Sequence, residues 1–163
     1  MIHSQYFEVI EQFLGDYNKE IYGRQLIGKI PQSQKAIALN LEKLEKEGIL
    51  QSRKSGNMKF YSLNKKNPQI KDILIITELT RNIQFCNKHK IISQIFREDD
   101  RIIGIFGSYA KEIQKSTSDL DVFIIGDKKD DYTDQGKSFD LDISIKYFTI
   151  KEVKNMLKNK LLS

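Results

Sequence analysis

The stretch GIFGSYAKEIQKSTSDLDVFIIG, residues 104–126, decides how the C-terminal half of the chain is read. It contains two apolar runs rich in β-branched residues, each the length of a buried strand. Gly107 and Ser108 close the first run, RIIGIFGS, and a short helix over Tyr109–Ile113 is predicted to follow. Asp119 and Asp121 open the second run, DVFIIGD. Residues i and i+2 of a strand share a face, so these two carboxylates point the same way. They repel each other unless a cation sits between them. Hard oxygens of this kind suit Mg2+ or Mn2+. At the other end, a helix start offers amides without partners and the positive end of a dipole. Gly107 lets a ligand approach the backbone, and Ser108 adds a hydroxyl. A phosphate cradle beside a divalent-cation site implies a nucleoside triphosphate.

Working outward, KSFDLDISIKYF (residues 137–148) alternates strictly and predicts a third strand. Phe139, Leu141, Ile143, Ile145 and Tyr147 point one way; Asp140, Asp142, Ser144 and Lys146 point the other. Either Asp140 or Asp142 can supply a third carboxylate, and Asp142 lies deeper in the run. Three carboxylates can hold two metal ions ~4 Å apart, the clamp for in-line displacement at phosphorus. TIKEVKNMLKNKLL reads as a closing helix with Thr149 as its N-cap. The order strand, helix, strand, strand, helix predicts an α+β unit, a small mixed sheet with helices on one face.

Gly-Ser, a helical turn, and Asp-x-Asp heading a strand, with 12 residues from Gly107 to Asp119, resemble the nucleotidyltransferase superfamily of DNA polymerase β, its small stand-alone members most of all. The resemblance covers residues 100–155. It implies that Asp119 and Asp121 bind the metal that escorts the triphosphate, and that Gly107 and Ser108 hold its β and γ phosphates. The third Asp would complete a second metal site and help deprotonate an attacking hydroxyl, and Lys111 would neutralise phosphate charge. The product would be a nucleoside monophosphate ester, with pyrophosphate leaving. ATP is the first choice of donor, although no short motif selects the base. Many relatives carry Gly after the basic residue. This chain has Ala110-Lys111-Glu112, which reads as a longer helix with the chemistry untouched. Small members include antitoxins that adenylylate a HEPN-type toxin, so the resemblance also implies a protein acceptor of that kind.

The N-terminal part reads differently. Apolar residues at helical spacing predict helices over Ser4–Leu14 and Gly23–Lys29, the second with Leu26 and Ile27 inward. Ser33 is an N-cap for a third helix, Gln34–Glu47, with Ile37, Leu41 and Leu44 as its stripe and Gly48 as its C-terminal cap. Two extended runs, Ile49–Arg53 and Lys59–Leu63, flank KSGN, a hairpin signal in which Gly56 and Asn57 can take positive φ. The stretch EIYGRQLIGKIPQSQKAIALNLEKLEKEGILQSRKSGNMKFYSLN (residues 20–64) resembles a winged helix, with LEKLEKEGIL as the end of the recognition helix and SRKSGNMKFYSLN as the wing. That resemblance implies a duplex DNA partner. Ser33, Gln34, Lys35 and Asn40 would face a major groove, and Arg53, Lys54 and Lys59 would meet phosphates. Winged helices also serve as dimerisation modules, so a homodimer is a further expectation. After Pro68, Ile70 to Phe96 predicts one long helix or two, with an apolar face of Ile73, Ile76, Leu79, Ile83, Cys86 and Ile91.

The 163 residues are 39% hydrophobic and 30% charged, which excludes disorder and suits one ordinary domain or two small ones. No apolar run approaches the ~20 residues of a membrane helix, and the start has no signal-peptide core. A lone cysteine, Cys86, excludes an intramolecular disulfide and a Cys-based metal cage. A cytoplasmic protein without a membrane partner is the expectation. Residues 1–67 hold eleven Lys and Arg against seven Asp and Glu, whereas residues 100–163 hold eleven of each. The basic excess therefore sits in the N-terminal part, as nucleic-acid contact would have it. The reading is a winged helix over 1–66, a helical linker over 67–98 and a nucleotidyltransferase domain over 99–163. The alternative is a winged-helix regulator whose transferase domain only senses nucleotide.

Overall fold

The computed structural model describes residues 4–128 and 132–162, and the chain forms two units, Met1–Phe85 and Cys86–Ser163.

In the first unit, helix α1 spans Ser4–Glu11 and buries Tyr6, Val9 and Ile10. It is shorter than the periodicity predicts. Its last turn tightens into three-residue spacing, with Phe13 N–H donating to Ile10 O and Leu14 N–H to Glu11 O, before Gly15 turns the chain at φ 81°. Strand β1 (Ile21–Tyr22) was not expected. It pairs with the hairpin through Ile21 opposite Tyr61. The predicted second helix is a single 3-10 turn, Gly23–Leu26, which buries Leu26 but leaves Ile27 exposed. Helix α2 (Gln34–Lys46) starts where predicted, with Ala36 N–H donating to the Ser33 hydroxyl at 3.2 Å. It ends in a Schellman turn: Gly48 N–H reaches Glu45 O, Ile49 N–H reaches Leu44 O, and Gly48 takes φ 71°.

Strands β2 (Leu50–Ser55) and β3 (Met58–Leu63) form the hairpin, with Ser55 opposite Met58. Of the two loop residues only Gly56 takes positive φ, as in loops that place glycine first. The sheet is antiparallel in the order β1-β3-β2, and Phe13, Ile37, Leu41, Leu44 and Leu50 fill the core beneath it.

Helix α3 (Ile70–Lys88) sends Ile70 and Ile73 into that core and buries Thr77, whose hydroxyl donates to Ile73 O. Ile76, Leu79 and Ile83, predicted to face inward with Ile73, are exposed. Apolar residues occupy two stripes of this helix, and periodicity alone does not say which one is covered. His89 (φ −116°, ψ 63°) breaks the helix before α4 (Lys90–Ile95), so of the two expectations, one long helix or two, the second is found.

In the second unit, β4 (Ile102–Phe106) runs antiparallel to β5 (Leu120–Ile125), and β5 runs parallel to β6 (Ile143–Phe148). Leu120, Val122 and Ile124 are fully buried on one face, and Ile92, Ile95, Tyr132 and Ile143 are buried in the same unit. Strand β6 is half as long as the alternation predicts. Helix α6 (Tyr132–Lys137) takes up the start of the run, and a turn over residues 138–140 follows it. The reason is topological: parallel strands need a crossover, which here contains a helix, whereas a hairpin would make them antiparallel. Helix α7 (Ile150–Leu162) starts with the predicted Thr149 cap. Its capping box is reciprocal: Glu152 N–H donates to Thr149 Oγ1 at 3.2 Å, and Thr149 N–H to Glu152 Oε2 at 2.7 Å. Among the described residues no helix is long and apolar enough to cross a membrane.

One largely covered polar cluster links elements of this unit. Asp99, with its side chain 3% exposed, meets the Arg101 guanidinium (Nη2 to Oδ2, 2.6 Å) and accepts the Tyr132 hydroxyl at 2.5 Å. Arg101 also donates to Asp127 O, so the Asp99 carboxylate holds Arg101 and Tyr132 of α6, and Arg101 in turn reaches the residue after β5.

Candidate active site

The predicted helix after Ser108 is a single turn that begins earlier, α5 (Gly107–Ala110). Gly107 is both the end of the strand run and the first helical residue, and its φ of 70° is left-handed. A Cβ on Gly107 would overlap the Asp121 carboxylate. Only glycine admits both this backbone conformation and that approach. Asp121 thus lies against the amide bend.

Strand register places the remaining carboxylates. Phe106 stands opposite Asp121 across β4 and β5, and Asp121 beside Ser144 across β5 and β6. The same parallel register, continued one residue before Leu120 and Ile143, puts Asp119 beside Asp142. Both are exposed, and Asp142 O accepts Leu120 N–H at 2.7 Å. Asp121 lies on one sheet face, and Asp119 and Asp142 stand just before β5 and β6; these three are the carboxylates that could offer oxygens to a divalent cation. Their donor set, carboxylate oxygens alone, fits Mg2+ or Mn2+. Among the described residues, no group of three or more His, Cys, Asp or Glu side chains stands close enough to ligate one ion.

Asp140 does not share that face. It lies in the turn after α6 with φ 52°, and its N–H donates to Lys137 O. The alternation that grouped it with Asp142 runs through residues that are not strand. Lys111 is exposed at the C-terminal cap of α5, the far end of the turn from Gly107.

The departure at Glu112 does not lengthen the helix. Glu112 N–H donates to Tyr109 O and Ile113 N–H to Ser108 O, both at 3.1 Å, and Glu112 takes φ 55°. This is the Schellman turn seen at Gly48, with glutamate in the glycine position. Lys88 pairs with Glu112 at 2.8 Å, and the His89 ring meets Tyr109 edge-on at 5.7 Å. Burial, then the neighbouring Lys88, hold the His89 imidazole below its ordinary pKa, against an opposing pull from Glu112. A left-handed non-glycine residue costs about 1 kcal/mol, and an exposed ion pair returns less. Glu112→Gly is therefore expected to be more stable than Glu112→Ala by about 1 kcal/mol in urea unfolding, because both lose the ion pair and only glycine relieves the backbone.

Four of the seven residues predicted to contact DNA make contacts within the chain. Ser33 caps α2. Asn40 is buried and donates to Gln32 Oε1 at 2.7 Å, so it is not on the outer face. It stands three residues after Ile37 and four before Leu44, on the buried stripe itself. Arg53 donates to Glu20 at 2.7 Å and stacks over Phe60. Lys59 pairs with Glu45 at 2.6 Å and lies over Tyr61. Lys59, then Ser52, hold the Glu45 carboxyl below its ordinary pKa. Gln34, Lys35 and Lys54 are exposed.

Residues 86–161 match the family model of the nucleotidyltransferase domain. The second unit is thus similar to that domain over nearly its whole length, which supports nucleotidyl transfer in general as its chemistry. The crystal structure of AF1382 from Archaeoglobus fulgidus is similar to this chain at 16% identity, over 48% of this chain and 84% of that one, with a TM-score of 0.38. No curated protein sequence matches the chain.

Proposed function

We propose that the second unit is a metal-dependent nucleotidyltransferase that moves a nucleoside monophosphate from a nucleoside triphosphate, ATP first, to an acceptor hydroxyl. The observation that carries this reading is the Asp121 carboxylate lying against the left-handed Gly107 bend, with Asp119 and Asp142 immediately before the paired strands β5 and β6. Asp119 and Asp121, joined by Asp142, would hold Mg2+ or Mn2+, which when bound supplies charge neutralisation for the triphosphate. The first amides of α5 lack intrahelical partners and would donate to phosphate oxygens, with the Ser108 hydroxyl beside them. Asp142 would accept the proton of the attacking hydroxyl. The acceptor suggested by the small relatives is a HEPN-type toxin, which makes this chain its antitoxin.

The element order of the first unit, two helices with a 3-10 turn between them and then a hairpin in a three-stranded sheet, supports reading it as a winged helix with duplex DNA as its partner. Gln34, Lys35 and Lys54 are then the candidate contacts, since Glu20 and Glu45 already neutralise Arg53 and Lys59. The second reading is a regulator in which the transferase unit senses nucleotide without turnover. It needs only the Asp121 carboxylate against the Gly107 bend, where a Cβ at residue 107 would collide with it.

Pyrophosphate release separates the readings. Wild type should release it in the presence of an acceptor, and Asp119→Ala/Asp121→Ala should not. No turnover by wild type with any acceptor would favour the sensor. Among the third carboxylates, Asp142→Asn is expected to lose activity by ~100-fold or more, the general-base range. Asp140→Asn should stay within about twofold of wild type, because its turn is off the face; the reverse ranking would move the third carboxylate to residue 140.

A further inference from the structure

The face that carries Asp121 continues along the sheet as an unusual row. Gly104 stands opposite Phe123 across β4 and β5, and Phe123 beside Lys146 across β5 and β6. A Cβ on Gly104 would overlap the Phe123 ring, so the ring lies over the glycine backbone. Phe106, on the Asp121 row, has its ring centroid 6.5 Å from that of Phe123, tilted by 37°. The Lys146 ammonium sits 5.4 Å from the Phe106 centroid. Both rings are half-buried, while Lys146 and Ser144 are exposed and Ile102, further along the same face, is 64% exposed. The opposite face is the closed one, with Leu120, Val122 and Ile124 inaccessible.

We infer that Phe123 is the seat of the nucleobase, with Phe106 beside it holding the Lys146 ammonium over its ring, within reach of phosphate. This rests on the triphosphate reading given above and deepens it. Rows on one face of a sheet are spaced by about 7 Å, the order of the span from a nucleotide's α-phosphate across its ribose to its base. Asp121 and Phe123 are one such step apart. A nucleotide with its phosphates at Gly107 and Asp121 and its base over Phe123 lies along a single strand. The chemistry of the row matches such a ligand. Aromatic faces stack on any base, more strongly on the larger purines, and a lone ammonium meets the charge that leaves as pyrophosphate. The row presents a π-face and one cation but no paired donor–acceptor edge, so it favours purines over pyrimidines and discriminates little between adenine and guanine.

The test compares two probes by titration calorimetry with Mg2+: ATP, which has a base, and inorganic tripolyphosphate, which has none. Phe123→Leu keeps the apolar volume and removes the π-face; Phe123→Tyr keeps the π-face. Phe123→Leu is expected to weaken ATP binding roughly tenfold, the order of one lost base–aromatic stack, and to leave tripolyphosphate unchanged. Phe123→Tyr should bind ATP as wild type does. Circular dichroism checks that both variants fold. If wild type binds both probes and Phe123→Leu loses neither, or loses both equally, the base seat is wrong while the triphosphate reading stands. If wild type binds neither probe, the triphosphate reading falls and takes this inference with it.

Discussion

Asp121→Asn is expected to reduce nucleotidyl transfer by ~1000-fold or more while leaving the fold intact. Asparagine keeps the shape of the side chain, so the pairing of Phe106 with Asp121 and the close approach to Gly107 can survive. What is lost is one negative charge at the point where carboxylates would hold a cation against the triphosphate. A metal ion contributes several kcal/mol of charge stabilisation in a transition state, and each 1.36 kcal/mol is a factor of ten in rate. Pyrophosphate release measures the loss, and thermal unfolding measures the fold. A variant that kept more than a tenth of wild-type activity would show that Asp121 is not part of the reacting centre. A variant that lost activity by unfolding would show that the carboxylate is needed for the bend at Gly107 rather than for chemistry.

What could be read beforehand depended on how narrow each residue's physical role is. The bend at Gly107 and the strand position of Asp121 were legible because a Gly-Ser break before a helix and a carboxylate at strand spacing leave few conformational alternatives. Ser33 and Thr149 were legible as caps for the same reason. Asp140 was misplaced because KSFDLD alternates polar and apolar residues without being strand. The usable signal was topological, since parallel neighbours demand a crossover. Asn40 was misassigned by residue type, although its spacing to Ile37 and Leu44 already put it on the buried stripe. Its amide is satisfied by Gln32, a partner eight residues away that no helical period points to. The α3 stripe could not be read, because two apolar faces of one helix compete and only the packed structure chooses between them. Glu112 was invisible for a deeper reason: a left-handed glutamate looks like helix in sequence, and only the hydrogen bonds to Tyr109 and Ser108 show that the helix has ended.

The second large effect concerns stability, at a residue that neither motif contains. Asp99→Asn is expected to destabilise the second unit by about 3 kcal/mol. Asp99 and Arg101 are nearly buried, their side chains 3% and 11% exposed. Breaking a buried pair from one side leaves the other charge uncompensated, at a cost of 3 kcal/mol or more. Asn cannot replace a carboxylate that accepts from Arg101 Nε, from Arg101 Nη2 and from the Tyr132 hydroxyl at once. Tyr132 carries α6, and Arg101 also reaches Asp127 O beyond the end of β5, so the loss spreads to both ends of the crossover. The same contacts set a pH dependence. Arg101, and after it the Tyr132 hydroxyl, hold the Asp99 carboxyl well below the usual carboxylate range against the opposing effect of burial. The folded state therefore binds this proton less readily than the unfolded chain. The stabilisation is fully present above the ordinary Asp value near pH 4 and is lost as pH falls below it toward the depressed folded value. Urea unfolding of wild type and Asp99→Asn at pH 7 and at pH 3 should show the gap between them narrowing at the lower pH. A gap that stayed constant would mean that the cluster acts through packing alone. A gap near zero at pH 7 would mean that the Arg101 charge, once unpaired, is solvated at no cost, so that the pair is not buried in the energetic sense.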